Sequence, residues 1–584
     1  MDRSRLHKLL GYLRPHWKPA ILGTVALFIV NGLGVYIPLL IRNSIDELQT
    51  SVSLDFDRVR YYVILTLILA SIMWVIRVAS RMWLFGVGRQ VEFDLKQRIF
   101  EHLLTLDTSY FAATPTGDLI NRATSDVENI RRMVGFAVLS LINTLFAYVL
   151  TLPIMLSIDP LLTLLALTIY PVMFFIVWLF SNRLRSEQAE VQERLSNLSD
   201  LIQEDMSGIS LIKIYSQEEN ERRAFADSNR ELFHSNLALA RTRTILFPAL
   251  QGLASGSLLI LLVFGAGAIA DGRVDLGGFI ALILYVERLV FPTALLGFTL
   301  TVYQRGEVSI DRLEGIFTTT PQVQDAANPI TFPERGVKGT LTAKQLTYAF
   351  PGSEVPALDD LSFEIAAGET VAIVGPIGSG KSTIANAVPR LLDIASGQLF
   401  LDGMDITQLR VRDLRGAIAY VPQDSFLFST TIQNNICYGN PLAEFSVVED
   451  AAKQAQIHWE ILNFPQQYET VVGERGITLS GGQRQRTALA RALLLDAPVL
   501  ILDDALSSVD NQTATDILKN LSKGTRRQTV IFISHQLSAA ATADRLFVMD
   551  RGKIVQIGTH AELMKQSGLY QSLWEMQKFE ELLR

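Results

Sequence analysis

The chain contains one cysteine, Cys437, in 584 residues. A single thiol cannot close a disulfide within the chain, which excludes a cystine scaffold and a paired redox centre. Charge is sparse as well: Asp, Glu, Lys and Arg together make up 19% of the residues, and the formal net charge is −7. A chain without a basic excess lacks the electrostatic footprint of a nucleic-acid binder, so nucleic acid is not expected as a partner. The opening stretch MDRSRLHKLLGYLRPHWKPA carries basic side chains but no small-residue cleavage site before the first apolar run. It reads as an amphipathic helix over 1–15 lying at a membrane surface, not as a signal peptide.

What the chain has in excess is hydrocarbon. Hydrophobic residues make up 49% and the mean hydropathy is +0.26. The long apolar runs all fall before residue 310, near 18–42, 60–86, 133–157, 160–181, 244–270 and 277–303. Each reaches the roughly 20 residues that a helix needs to cross a bilayer. Buried helices of a soluble domain would be shorter and would keep a polar face. The expectation is a six-helix membrane domain over 16–317. Between the first two runs lies NSIDELQTSVSLDFD, with four acids and no Lys or Arg. The long segments after the second and fourth runs carry Arg89, Lys96, Arg98, Arg122, Arg131 and Arg132, then Arg183, Arg185, Arg194, Lys213, Arg222 and Arg223. Positive charge stays on the cytoplasmic side, which places both termini and both long segments there. From Ser181 to Thr244 the spacing is helical and free of proline, so the spans are expected to project beyond the bilayer.

A segment with three prolines and no periodicity, 318–338, marks a linker. From 339 to 584 short β-branched runs (TVAIV, VLILD, TVIFI) alternate with helical patterns, the signature of a soluble α/β domain. Its strongest motif is Gly375-Pro-Ile-Gly-Ser-Gly-Lys-Ser382, placed between an apolar strand and a helical stretch. That is the context of a phosphate loop: glycines let backbone N–H groups converge on phosphate oxygens, Lys381 reaches the β- and γ-phosphates, and Ser382 holds Mg²⁺. Val499–Leu502 ends in Asp503, a carboxylate suited to holding Mg²⁺ through water. Between them, Leu479-Ser-Gly-Gly-Gln483 sets a hydroxyl and free N–H groups at a helix start, a second phosphate-facing arrangement.

Taken in this order, the motifs resemble the ABC transporter ATPase family, over nearly the whole chain. The fold this implies is an α-helical membrane domain of exporter type plus an α/β P-loop NTPase domain. The resemblance gives ATP and Mg²⁺ as ligands. It sets Gly375, Gly378, Ser379, Gly380, Lys381, Ser382 and Thr383 in the phosphate loop, with Ser382, Gln423 and Asp503 around the metal. It makes Ser480, Gly481, Gly482 and Gln483 the signature, His535 the switch histidine, Ser507–Asp510 the D-loop, and Gly473-Glu-Arg-Gly476 the segment ahead of the signature. The adenine-stacking aromatic falls on Phe350, where the family usually has tyrosine; a π face suffices, and Tyr348 is the other candidate. Thr116–Arg122 resembles the first coupling helix, with the second expected around Tyr215–Phe225. Six spans ahead of one ATPase resemble the bacterial multidrug and lipid exporters, whose working form needs a second such chain.

One position departs from that pattern. After Asp503 the family has glutamate, which activates the attacking water; here it is Asp504. Its carboxylate sits one methylene nearer the backbone, a displacement of about 1–1.5 Å, and a misplacement of that order can cost about a hundredfold in rate. With Gln423 and His535 kept, Asp504 is expected to serve a slow site. The division between a weak Walker half and an intact signature resembles one member of a heterodimeric exporter; a homodimeric lipid or peptide exporter, an importer and an ATP-gated channel are the alternatives. In the membrane domain Glu287 and Arg288 fall near mid-bilayer, where charge faces a cavity or a partner. As neighbours in sequence they point to different sides of the helix. Asn31, Gln251 and Tyr285 either line a pathway or join helices, and Pro38, Pro171, Pro248 and Pro292 are candidate kinks. Hydrophobic drugs, lipids and peptides all stay open as cargo.

Overall fold

The structure is a computed structural model that describes residues 11–50, 56–333, 336–473, 476, 478–523 and 528–583. The first ten residues of the expected surface helix lie outside the described residues, as do Glu474 and Arg475 of the segment before the signature. Among the described residues, six helices are long and apolar enough to cross a membrane: Gly11–Leu48, Phe56–Leu103, Thr116–Ile158, Pro160–Ser207, Glu218–Ala270 and Leu276–Phe317. The fifth has 53 residues, about 80 Å at 1.5 Å per residue and far more than a bilayer requires. Pro38, Pro248 and Pro292 lie within continuous helices, and so does Pro153. Only near Pro171 is the ladder interrupted, at Thr168. A proline there has no N–H to offer the carbonyl of Leu167.

The chain divides into two compact units, one running to Thr105 and resuming over Thr114–Thr319, the other made of Leu106–Ala113 with Thr320–Arg584. In the first unit, packing is completed by polar contacts between spans. Asn31 is buried and donates to the Leu27 carbonyl at 2.9 Å and to Asn143 Oδ1 at 3.1 Å. Tyr285 is buried and its hydroxyl donates to the Val35 carbonyl at 2.6 Å. Both residues therefore join helices; of the three polar candidates, Gln251 lines a cavity. The acid–base pair of the sixth span separates as its spacing predicts. Arg288 reaches the first span, donating to Asn31 O at 3.0 Å and Oδ1 at 3.1 Å across the bare backbone of Gly34, while Glu287 faces the cavity. Lower down, Asp118 accepts from Arg122 and Arg312, each at 2.7 Å, and Arg312 also pairs with buried Asp126 at 3.3 Å. The third helix carries two π-helical turns here, Arg122–Asp126 and Met133–Ala137.

Among the described residues of the second unit, ten strands form two sheets: β1 (Leu341–Tyr348), β2 (Leu358–Ile365), β3 (Thr370–Val374), β4 (Leu399–Leu401), β5 (Met404–Asp405), β6 (Ile418–Val421), β7 (Val499–Asp503), β8 (Thr529–Ile533), β9 (Arg545–Asp550) and β10 (Lys553–Gly558). The first sheet has the order β2-β1-β4-β5 and is antiparallel. The second has the order β10-β9-β3-β8-β7-β6, parallel except where β10 meets β9. Strands β3, β7 and β8 are buried at every position, which is why they read as unbroken apolar runs. The register aligns Asp503 with Ile533, so the ends of β7 and β8 stop side by side. The loops after β3, β7 and β8 thus leave one edge of the sheet together.

The first coupling helix was expected at Thr116–Arg122. That stretch instead runs through Thr116–Asn121 into the third span and belongs to the first unit. The segment grouped with the ATPase unit is a short helix earlier, Thr108–Ala113, whose Thr108 hydroxyl donates to the Leu391 carbonyl at 3.2 Å. Asp107 just before it accepts from the backbone N–H groups of Gln322 and Val323. At the second reversal a short helix, Ile209–Ile214, is followed by a turn at Tyr215–Gln217, with Ile214 and Tyr215 exposed. From Glu218 the chain is already in the fifth long helix.

Candidate nucleotide-binding and hydrolysis site

Strand β3 delivers the chain into the loop Gly375–Gly380, and the helix Lys381–Ala387 receives it. Gly375 has φ +150°, and a Cβ there would stand 2.1 Å from the Met549 carbonyl oxygen, so only glycine closes this turn against β9. Gly378 and Gly380 also adopt positive φ, while Ser379 and Thr383 are buried. Lys381 is buried, and its Nζ donates to the carbonyls of Gly375 at 2.8 Å and Pro376 at 2.7 Å. Burial lowers its pKa, and Asp504 and Asp503 offset part of that. The ammonium therefore rests on neutral acceptors beside the loop, ready for exchange with phosphate oxygens.

Asp503 ends β7, almost wholly buried, and its Oδ1 accepts from the Ser382 hydroxyl at 2.9 Å. Tyr420 on β6 points its hydroxyl at the other carboxylate oxygen at 3.4 Å. Burial raises the pKa of Asp503, and neighbouring Asp504 adds to the effect. A hydroxyl and a carboxylate oxygen held side by side are hard donors of the kind Mg²⁺ takes, with phosphates and water completing its shell. The residues present fit that ion. Gln423 stands exposed two residues beyond β6.

Asp504 follows directly in the left-handed region at φ 49°, with its N–H donating to the Ile533 carbonyl at 3.1 Å. Such a backbone is uncommon except for glycine, and among other residues Asp and Asn tolerate it best. Burial raises the pKa of its carboxyl, while the charge and backbone N–H of His535 are the first of several influences drawing it back. The Ser507 hydroxyl is another. The short carboxylate is thus set between the D-loop and the end of β8, with the exposed His535 ring beside it.

Ser480 caps the helix Gly481–Leu493 reciprocally: its hydroxyl accepts from Gln483 N–H at 3.2 Å, and Gln483 Oε1 accepts from Ser480 N–H at 2.9 Å. A Cβ on Gly482 would approach the Ser508 carbonyl to 2.8 Å, so signature and D-loop are in close contact. Sequence reasoning missed what ties them together. Gln485 is buried; its amide N–H donates to Ser507 Oγ at 2.9 Å and its amide oxygen accepts from Ser508 N–H at 2.8 Å. Its position two residues past the signature was the only hint. Asp510 ends the D-loop as a helix cap, accepting from Thr513 N–H at 2.9 Å. Phe350 is exposed beyond β1 and packs edge-on against Tyr348 at 5.2 Å between ring centres.

A phosphate loop, a carboxylate strand and a capped signature helix on one α/β unit, in a chain with six membrane-length helices, define a membrane-bound P-loop ATPase. Comparison with known proteins makes this specific. Residues 20–293 match the ABC transporter transmembrane region family and residues 358–507 match the ABC transporter family. The chain belongs to the ABC transporters, in the group that fuses an exporter-type membrane domain to an ABC ATPase domain. It is 32% identical to the probable multidrug resistance ABC transporter ATP-binding/permease protein YheI of Bacillus subtilis (strain 168), over 98% of both chains. It is 31% identical to the multidrug resistance-like ATP-binding protein MdlA of Escherichia coli (strain K12), over 99% of this chain and 97% of that one. Identity to the ATP-dependent lipid A-core flippase of Thiobacillus denitrificans (strain ATCC 25259 / T1) is 32%, over 99% of both. Among solved structures, a bacterial Atm1-family ABC exporter with ATP bound superposes with a TM-score of 0.76 at 24% identity, covering 98% of this chain and 99% of that one. That likeness speaks for the fold.

Proposed function

We propose that this chain is one half of an ATP-driven exporter of hydrophobic or amphipathic compounds, paired with a second, non-identical half-transporter. The observation that carries the heterodimer is Asp504. The carboxylate that should orient water is short and held in a left-handed turn, while Ser480–Gln483 form a fully capped helix start. ATP binds across two chains, with the loop of one facing the signature of the other. This chain lends a good signature to its partner's site and keeps a slow site of its own. Its relatives include multidrug resistance proteins and a lipid A-core flippase, which supports an amphipathic cargo.

In the cycle, Lys381 and the loop N–H groups bind the phosphates of ATP. Ser382 and Asp503, with Gln423, would hold Mg²⁺, which supplies charge neutralisation on the phosphates when bound. Asp504 and His535 orient water at a reduced rate. The long helices carry closure of the ATPase domains into the membrane domain, and hydrolysis at the partner's Walker site resets it. The ATPase domain and both termini lie in the cytoplasm and the spans in the bacterial inner membrane, in line with the basic segments after the second and fourth spans. The composition of the complex tests this reading. An affinity-tagged copy purified from its native membranes should bring down, at equal stoichiometry, a second half-transporter with glutamate after its Walker carboxylate. Recovery of copies of this chain alone would sink the heterodimer.

A further inference from the structure

A cavity of about 1550 Å³ opens between the third, fourth, fifth and sixth spans, and its wall divides by chemistry. Val177, Leu250, Leu258, Val290, Phe291 and Phe298 make one part apolar. The other part carries Arg132, Arg185, Arg243 and Arg305, with Gln188 and Gln192 between them. The one acid lining it among the described residues, Glu287, sits far from them. Glu287 and Arg305 share a helix and are 305 − 287 = 18 residues apart, about 27 Å by helical rise.

Most of this positive charge is uncompensated. Arg132 pairs with Glu128 at 2.8 Å. Arg185 bonds neutral oxygens only, the Ser181 carbonyl at 3.4 Å and Asn182 Oδ1 at 3.0 Å. Among the described residues, Arg243 and Arg305 form no ion pair, though all three arginines are exposed to the cavity. Three unneutralised guanidinium groups at the end of a hydrocarbon wall call for an anion attached to a hydrocarbon tail. Guanidinium suits oxyanions because its fork matches phosphate geometry. A cationic headgroup would find a single carboxylate, Glu287, in a lining whose net charge is positive, which is the less favourable arrangement.

We propose that this cavity binds lipid-like amphiphiles with an anionic, phosphate-class headgroup, the head docked on Arg185, Arg243 and Arg305 and the tail along the apolar spans. The proposal deepens the exporter reading and rests on it for the direction of entry, with the arginines at the cytoplasmic end. It does not depend on Asp504.

The test uses the full complex in nanodiscs of zwitterionic lipid, without nucleotide. Two fluorescent probes share one acyl chain; one carries a phosphate headgroup and the other trimethylammonium. The phosphate probe should bind at least tenfold more tightly, and millimolar inorganic phosphate should not displace it. Replacing Arg185, Arg243 and Arg305 together by Gln should weaken the phosphate probe at least tenfold and erase the preference. The same three changed to Lys should keep the preference, which guards against a Gln variant that fails to fold. Equal binding of the two probes, preference for ammonium, displacement by inorganic phosphate, or no binding of either because partner helices fill the cavity would each overturn the proposal. ATP binding in the same preparation separates the two levels. Its loss in the native complex breaks the exporter reading, whereas normal ATP binding without a phosphate preference breaks only this inference.

Discussion

Two surfaces of the ATPase unit meet nucleotide in this family, and in the function proposed above they differ in quality. The loop side has all its binding parts, Gly375 through Ser382 with Asp503, yet ends in a shortened carboxylate at Asp504. The signature side is complete: Ser480 and Gln483 cap each other, and Gln485 fastens the D-loop to the same helix. The difference separates holding a nucleotide from cleaving it. Holding depends on many convergent donors and survives one altered residue. Cleaving depends on one group within about 1 Å of its station.

The comparison can be broken at several points. The largest effect is expected from Lys381→Ala. Removing a cation that bonds phosphate costs up to about 3 kcal/mol, roughly a hundredfold in ATP affinity at this chain's own site. Equilibrium binding of a fluorescent ATP analogue would check it, and an unchanged affinity would contradict the assignment of the loop. Next comes Gly482→Ala, whose new methyl would press on the Ser508 carbonyl. ATP affinity of this chain alone should hold while hydrolysis by the two-chain complex falls about tenfold or more, a loss of roughly 1.4 kcal/mol in transition-state binding. If both fall together, the two surfaces are not separable. The smallest effect is expected from Gln485→Ala. Two hydrogen bonds to Ser507 and Ser508 disappear, but both serines are exposed and water can replace the lost partner, a net cost of about 1 kcal/mol. Faster amide exchange confined to residues 505–510 would show the D-loop freed; uniform exchange through the ATPase unit would point to general destabilisation.

How much of this was legible in the sequence follows from the range of each signal. The six spans could be read from local hydropathy, and β3, β7 and β8 from runs buried on both faces. The phosphate loop and signature lie in short contiguous motifs whose spacing is the chemistry. The parting of Glu287 from Arg288 follows from helical geometry alone, though the partner Asn31 lies 257 residues away and could not be named. The Gln485 clamp was hidden for the same reason: one side chain bonds a loop 22 and 23 residues on, and no local pattern marks it. The first coupling helix was misplaced because Thr116–Arg122 has a helix start as good as Thr108–Ala113. What distinguishes the two is tertiary, the contact of Thr108 with Leu391.

The central claim is that Asp504 makes this chain's own site slow, and ATP hydrolysis by the purified chain alone, beside its Asp504→Glu variant, tests it most directly. Glutamate at a left-handed position carries a somewhat higher backbone cost than aspartate, so both proteins should first be shown to bind ATP equally. The account predicts that the native chain is nearly inert and that the variant turns over at least tenfold faster. Brisk turnover by the native chain, unchanged by the extra methylene, would contradict it and point to a homodimer in which Asp504 suffices.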